Sequence, residues 1–229
     1  MVRRVLLVLC LLCRLAGGLV ASLSRPGSAR LSLKLAAGSQ VVFDGSGALT
    51  DRDLDSVSRL LSDSFDSPWF PLKLVSRMDF KAQLEDRRVR LVSAGRNHTM
   101  LVARSAVDGE VVGFLEMGLL ASTTRGVLEA VGPPSANGKI PVIGNLVVSE
   151  KCRRQGIALR LMEQAETAAR GWSQYRHILV AVDPANTAAL DLYRRVGYAE
   201  VGRGPQTVVR DLMQRQLDFV FLLKSLSSD

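Results

Sequence analysis

The stretch VIGNLVVSEKCRRQGIALRLMEQAE, residues 142–166, runs an apolar strand through a polar turn into a helix. The strand is expected over Ile140–Val148, and Ser149 and Glu150 begin the turn. Arg153-Arg154-Gln155-Gly156-Ile157-Ala158 then leads into a helix expected over Ala158–Arg170 and ending at Gly171. Ala158, Leu161, Met162, Ala165 and Ala169 fall on one face of it, which predicts burial of that face. The first N–H groups of a helix have no intrahelical acceptor and coincide with the positive end of its dipole. A pyrophosphate docked there would satisfy them. Gly156 lets the backbone approach such a ligand without a Cβ, small Ala158 leaves similar room, and Arg153 and Arg154 add charge. By themselves these residues fit a plain strand–turn–helix with a solvated basic turn equally well.

Outward from this stretch, helical and extended patterns alternate from about residue 41. Thr50 and Asp53 form an N-cap signature ahead of Leu54, Val57, Leu60, Leu61 and Phe65 at helical spacing. Phe65–Pro71 is a turn-rich aromatic break, and a second helix is expected from Leu72 to about Arg87. Strands follow at His98–Ser105 and Glu110–Leu119, separated by the hairpin dipeptide Asp108-Gly109. Residues 121–139 read as a long loop, a kind of segment that is often functional. After the 142–166 stretch come a strand at His177–Val182 and a helix from Thr187 to Val196. Late strands are expected near Tyr198–Val201 and Asp218–Leu223. The fold class is α/β (α+β), with helices flanking a mixed sheet.

Downstream of the strand Ile178-Leu179-Val180-Ala181-Val182 lies Asn186-x-x-Ala189-x-x-Leu192-Tyr193-x-x-x-Gly197-Tyr198. With the 142–166 stretch, it resembles the GNAT superfamily of acetyl-CoA-dependent N-acetyltransferases. The Gly-Asn-Leu-Val-Val strand and the Arg-Arg-Gln-Gly-Ile-Ala turn look like those of the cyanobacterial and plastid members. The resemblance implies a mostly antiparallel central sheet and acetyl-CoA as co-substrate. It implies that Leu146, Val147 and Val148 pair with the pantetheine arm as an added strand would. Arg153, Arg154, Gln155, Gly156, Ile157 and Ala158 would cradle the pyrophosphate. Asn186 would hydrogen-bond the cofactor, with Thr187 and Ala188 beside it. Tyr193, two turns beyond Asn186 and on nearly the same face, would be the general acid for the departing thiolate; taken alone it also reads as a core tyrosine. A base must take the amine proton, and Glu116 is a candidate because a carboxylate in an apolar strand can have a raised pKa. A strand-end Glu facing solvent is the alternative for Glu116. Asn145 is expected to line the same channel.

The chain has 229 residues and a formal charge of +8, but the charge is unevenly placed. No acid precedes Asp44, whereas Arg3, Arg4, Arg14, Arg25, Arg30 and Lys34 do. The other 24 basic residues face 22 acids, so residues 44–229 carry only +2. That near-neutrality, with few aromatics, argues against nucleic-acid binding. Residues 1–20 have a charged start, an apolar centre from Val5 to Cys13 and a small-residue exit, the parts of a signal peptide. The Ser/Arg-rich, acid-free stretch that follows has a transit-peptide composition. We read residues 1–40 as a cleaved presequence directing residues 41–229 to a plastid, the alternative being a mitochondrion, with no stable membrane anchor after processing. Cys10 and Cys13 would leave with it, and Cys152 alone remains. His98 and His177 lack Cys or His companions, so no metal site is expected and both histidines read as structural.

The expectation is an acetyltransferase acting on a protein or peptide amine, an N-terminal α-amine or a lysine ε-amine. Its rivals are acetylation of a small-molecule amine and a non-catalytic module that senses acetyl-CoA.

Overall fold

A computed structural model describes residues 31–34, 40–44, 49–65, 70–94, 98–121, 139–172, 174–210 and 216–226. The strands are β1 (Leu31–Lys34), β2 (Gln40–Asp44), β3 (His98–Ser105), β4 (Val111–Ala121), β5 (Lys139–Val148), β6 (His177–Val182), β7 (Ala199–Arg210) and β8 (Gln216–Ser225). The helices are α1 (Asp51–Phe65), α2 (Phe70–Ala94), α3 (Ile157–Arg170) and α4 (Thr187–Arg195). The strands form one sheet in the order β1-β2-β3-β4-β5-β6-β8-β7. Every neighbouring pair is antiparallel except β5–β6.

Helix α1 starts where its cap residues predict. The Asp53 N–H donates to Thr50 Oγ1 at 3.3 Å, and the Thr50 N–H donates back to Asp53 Oδ2 at 2.7 Å. These reciprocal bonds satisfy two donors that the helix cannot. Leu54, Val57 and Leu61 then face the sheet and pack with Phe80 and Leu84 of α2 against Met100, Val102, Phe114 and Val147. On the opposite face Ile157, Leu161, Met162, Ala165 and Ala169 of α3, with Leu190 and Tyr193 of α4, cover Leu101, Leu115, Met117, Ile143 and Val180. Strict alternation along β3 and β4 divides these residues between the two faces.

Several element ends differ from the sequence expectation. Helix α2 begins before Leu72 and runs on to Ala94, because its polar residues hold α geometry as well as its apolar ones do. Strands β7 and β8 extend past the expected limits as a paired ladder. Strand β1 lies ahead of the boundary drawn at residue 41, and its Leu31 pairs with Phe43 of β2. The expected loop at 121–139 lies almost wholly outside the described residues, as do residues 1–30. No described helix is long and apolar enough to cross a membrane.

Candidate active site

Strand β5 pairs in parallel with β6 only at Val142–Leu179 and Ile143–Val180. Beyond Ile143 the two strands part, while β6 continues to pair with β8 as far as Val182. The cause lies on the other side of β5. Phe114 faces Val147 and Glu116 faces Gly144, so Asn145 and Leu146 together oppose Leu115. This is a β-bulge, and Asn145 adopts a left-handed φ of 51° to make it. The bulge bends β5 away from β6, leaving that edge from Gly144 to Val148 without a strand partner among the described residues. An unpaired edge is a template for an extended chain carrying its own amides.

Beyond Val148 a short 3₁₀ turn, Glu150–Cys152, leads to the start of α3. Arg154 and Gly156 both take left-handed φ values, 64° and 81°. The first intrahelical bond runs from the Arg160 N–H to the Gly156 carbonyl at 3.1 Å. Gly156 supplies no side-chain cap, so the amides of Ile157, Ala158 and Leu159 face outward from the helix end. A Cβ on Gly156 would meet no protein atom within 4 Å, so the protein itself leaves open space there. The turn has the geometry of a backbone anion cradle. Arg153 and Arg154 are exposed beside it. Arg153 is partly engaged, its Nε donating to the Val148 carbonyl at 3.3 Å and its guanidinium lying 3.4 Å from Glu150. Gln155 donates to the Lys151 carbonyl, which fixes the turn rather than a ligand.

Asn186 is the N-cap of α4, its side-chain oxygen accepting from the Ala189 N–H at 3.1 Å. That leaves its amide NH2 as the group free to reach a ligand. Thr187 and Ala188 are exposed beside it. Tyr193 is buried, and its ring meets Tyr198 edge-on at 5.7 Å. Burial pushes the Tyr193 phenol above its usual range, so it stays protonated at neutral pH. Tyr198 in turn donates to Glu166 of α3 at 3.2 Å, and Lys224 of β8 binds the same carboxylate at 2.8 Å.

The structure corrects the reading of Glu116. It is neither solvent-facing nor a raised-pKa base, but a buried carboxylate with three donors on it. Arg87 of α2 reaches Oε2 at 2.5 Å, Asn145 donates to Oε2 at 2.7 Å, and His98 Nε2 lies 2.7 Å from Oε1. Burial alone would raise its pKa; the Arg87 charge and the bonds from His98 and Asn145 outweigh it and hold the carboxyl at about 2. Such a group is a poor proton acceptor at neutral pH. Positions 87, 98, 116 and 145 are far apart in sequence, and no local pattern announces their meeting. Among the described residues no cluster of His, Cys, Asp or Glu is fit to hold a metal.

An open strand edge leading to a helix-start anion cradle suits a ligand with an extended arm and a pyrophosphate, the layout of a CoA-dependent acyltransferase. Residues 54–198 match the family model described as the acetyltransferase (GNAT) family, and the chain belongs to that family. A search of curated proteins finds no match in sequence. Among solved structures, Arabidopsis thaliana NAA60 in complex with acetyl-CoA is similar at a TM-score of 0.58 and 21% identity, over 81% of this chain and 98% of that one. A ribosomal-protein-alanine N-acetyltransferase from Brucella melitensis gives 0.53 and 21%, over 77% and 96%. A phosphinothricin acetyltransferase from Sinorhizobium meliloti, in complex with acetyl-CoA, gives 0.53 and 17%, over 78% and 86%. At these identities the likeness is one of fold.

Proposed function

We infer that the protein transfers acetyl from acetyl-CoA to a protein amine, an N-terminal α-amine or a lysine ε-amine. The observation that carries this is the parting of β5 from β6 at the Asn145 bulge, in line with the amide cradle at Arg153–Ala158. The edge Leu146–Val148 would hold the pantetheine arm, and the amides of Ile157 and Ala158, with Arg154, the pyrophosphate. Asn186 offers its amide NH2 to the arm. When bound, acetyl-CoA supplies an activated thioester; the chain positions it and manages two protons. Tyr193, protonated and on the α3/α4 face, serves as the acid for the departing sulfur.

A protein acceptor is supported by one of the structural neighbours, the ribosomal-protein-alanine N-acetyltransferase, whose name denotes a protein acceptor. A plastid destination is supported by the composition of residues 1–40. The test is a mixed panel of peptides and small amines incubated with the protein and acetyl-CoA, followed by mass spectrometry. Acetylated peptide termini or lysines are the expected products. Acetylation confined to polyamines, amino acids or other small amines would replace the acceptor class and keep the enzyme.

A further inference from the structure

We propose that His98, held in place by Glu116, is the base that takes the proton shed by the attacking amine. This rests on the acetyltransferase reading above and supplies the group that reading lacks. The amine nitrogen forms a bond to the acetyl carbon as the carbon–sulfur bond breaks. One nitrogen-bound proton passes to His98, the sulfur takes the Tyr193 phenolic proton, and solvent returns the His98 proton to Tyr193. The cycle closes with amide and free thiol as products.

Glu116 itself cannot fill this role, because its oxygens are already occupied by Arg87, Asn145 and His98. The same arrangement prepares the imidazole. An ionised carboxylate only accepts hydrogen bonds, so Nε2 of His98 must carry the hydrogen in that 2.7 Å contact. In the neutral ring that leaves Nδ1 with its lone pair, and Nδ1 makes no hydrogen bond among the described residues. His98 also reaches solvent where its partners do not: its side chain is 15% exposed, against 5% for Glu116 and 3% for Arg87. The ring lies over Gly118, its partner across β3–β4, where a Cβ would come within 2.9 Å of Cδ2. A side chain at 118 would displace it. The charged groups facing His98 among the described residues are Glu116 from β4 and, behind it, Arg87 from α2; Asn145 from β5 is neutral. Because Asn145 forms the bulge and bonds Glu116, the cluster is tied directly to the point where β5 opens. Tyr193 sits on the α3/α4 face, and His98, bonded to the Glu116 that Arg87 of α2 reaches, lies on the α2 side of the sheet. Acid and base thus approach the thioester from opposite sides of the sheet.

The experiment compares full-length wild type with His98→Gln and His98→Ala, by single-turnover acetyl transfer to a peptide acceptor and by acetyl-CoA titration. The glutamine amide still donates to Glu116 but has no basic nitrogen, which keeps the cluster folded. Both variants are expected to lose about 100- to 10,000-fold in rate with an unchanged acetyl-CoA dissociation constant. Added imidazole is expected to restore part of the His98→Ala rate in proportion to its neutral form, an effect that repair of structure alone would not produce. Wild-type rates in His98→Gln, or a slow His98→Ala that binds acetyl-CoA yet gains nothing from imidazole, would overturn the proposal alone. A wild type that acetylates nothing would overturn the acetyltransferase reading, and this base with it.

Discussion

Tyr193 shows how burial suits a residue for one proton transfer and bars it from another. Desolvation keeps the phenol protonated, which is the state an acid needs when a thiolate departs. The Tyr198 ring fixes its position from the side, and Tyr198 is held by Glu166 and Lys224. Tyr193→Phe keeps that packing and removes only the proton. We predict a drop of about 100-fold in single-turnover rate, at the low end for general acid catalysis because water can substitute, with acetyl-CoA affinity unchanged. A wild-type rate in this variant would remove Tyr193 from the chemistry. Gly156 is constrained by its left-handed φ of 81°, while no protein atom would meet an added Cβ. Gly156→Val should cost about 1–2 kcal/mol of ligand-free stability from left-handed strain. It should also abolish the stabilisation by CoA, which for an intact site is about 2.7 kcal/mol at 100 times the dissociation constant. Thermal melts with and without CoA measure both, and full CoA stabilisation in the valine variant would relocate the phosphate site.

Helix α2 is anchored to the sheet by charge as well as by Phe80 and Leu84. Arg87 is 3% exposed, and its guanidinium meets Glu116 across the interface. Glu116→Ala removes the carboxylate that neutralises that buried cation and leaves Gln83 to hold the guanidinium at 3.2 Å, a change that costs about 3–5 kcal/mol. Replacing both residues should cost less than the sum of the single changes. Urea unfolding of the two single variants and the double variant measures this; strict additivity would show that the pair is not coupled. At this scale the sequence was legible where apolar runs are bounded by turns. Strands β3 and β6 begin and end where their residues predict, and Thr50 with Asp53 locates α1 to the residue. The sequence was mute where pairing decides. The Asn145 bulge depends on β4 and β5 being in register, and the Glu116 cluster on residues of α2, β3, β4 and β5 meeting. Strand β1 hides in a Ser-rich, acid-free segment whose composition points to a presequence, because its partner β2, not its own pattern, makes it a strand.

The molecule as a whole carries a pH dependence set by these buried acids. Glu116 titrates at about 2 when folded, against an ordinary value of 4.5. Asp53 shifts the same way: burial opposes the shift, but hydrogen bonds from Arg104 and Thr50 outweigh it. A depressed carboxyl contributes fully above its unfolded pKa and loses that contribution as pH falls through the folded one. We therefore predict that stability falls by on the order of 3 kcal/mol from Glu116 alone between about pH 4.5 and pH 2. Urea titrations across that window check it, with Glu116→Gln expected to flatten the curve; a flat wild-type profile would contradict it. The ends of the chain raise a related question of scale. Removing residues 1–40 would strip β1 from β2, so if a presequence is cleaved, a product that keeps all eight described strands would start at or before Leu31; N-terminal sequencing of the native protein tests this, and a start at residue 41 would show that the sheet functions without β1. Acetyl-CoA is expected to lie along the open edge of β5 and to end on the first turn of α3. Amide hydrogen exchange, read by mass spectrometry with and without acetyl-CoA, tests this most directly, because it reports the very groups assigned to the ligand. Slowed exchange is expected to concentrate in Gly144–Val148 and Arg154–Leu159. Binding that leaves both segments unchanged and protects another surface would contradict it.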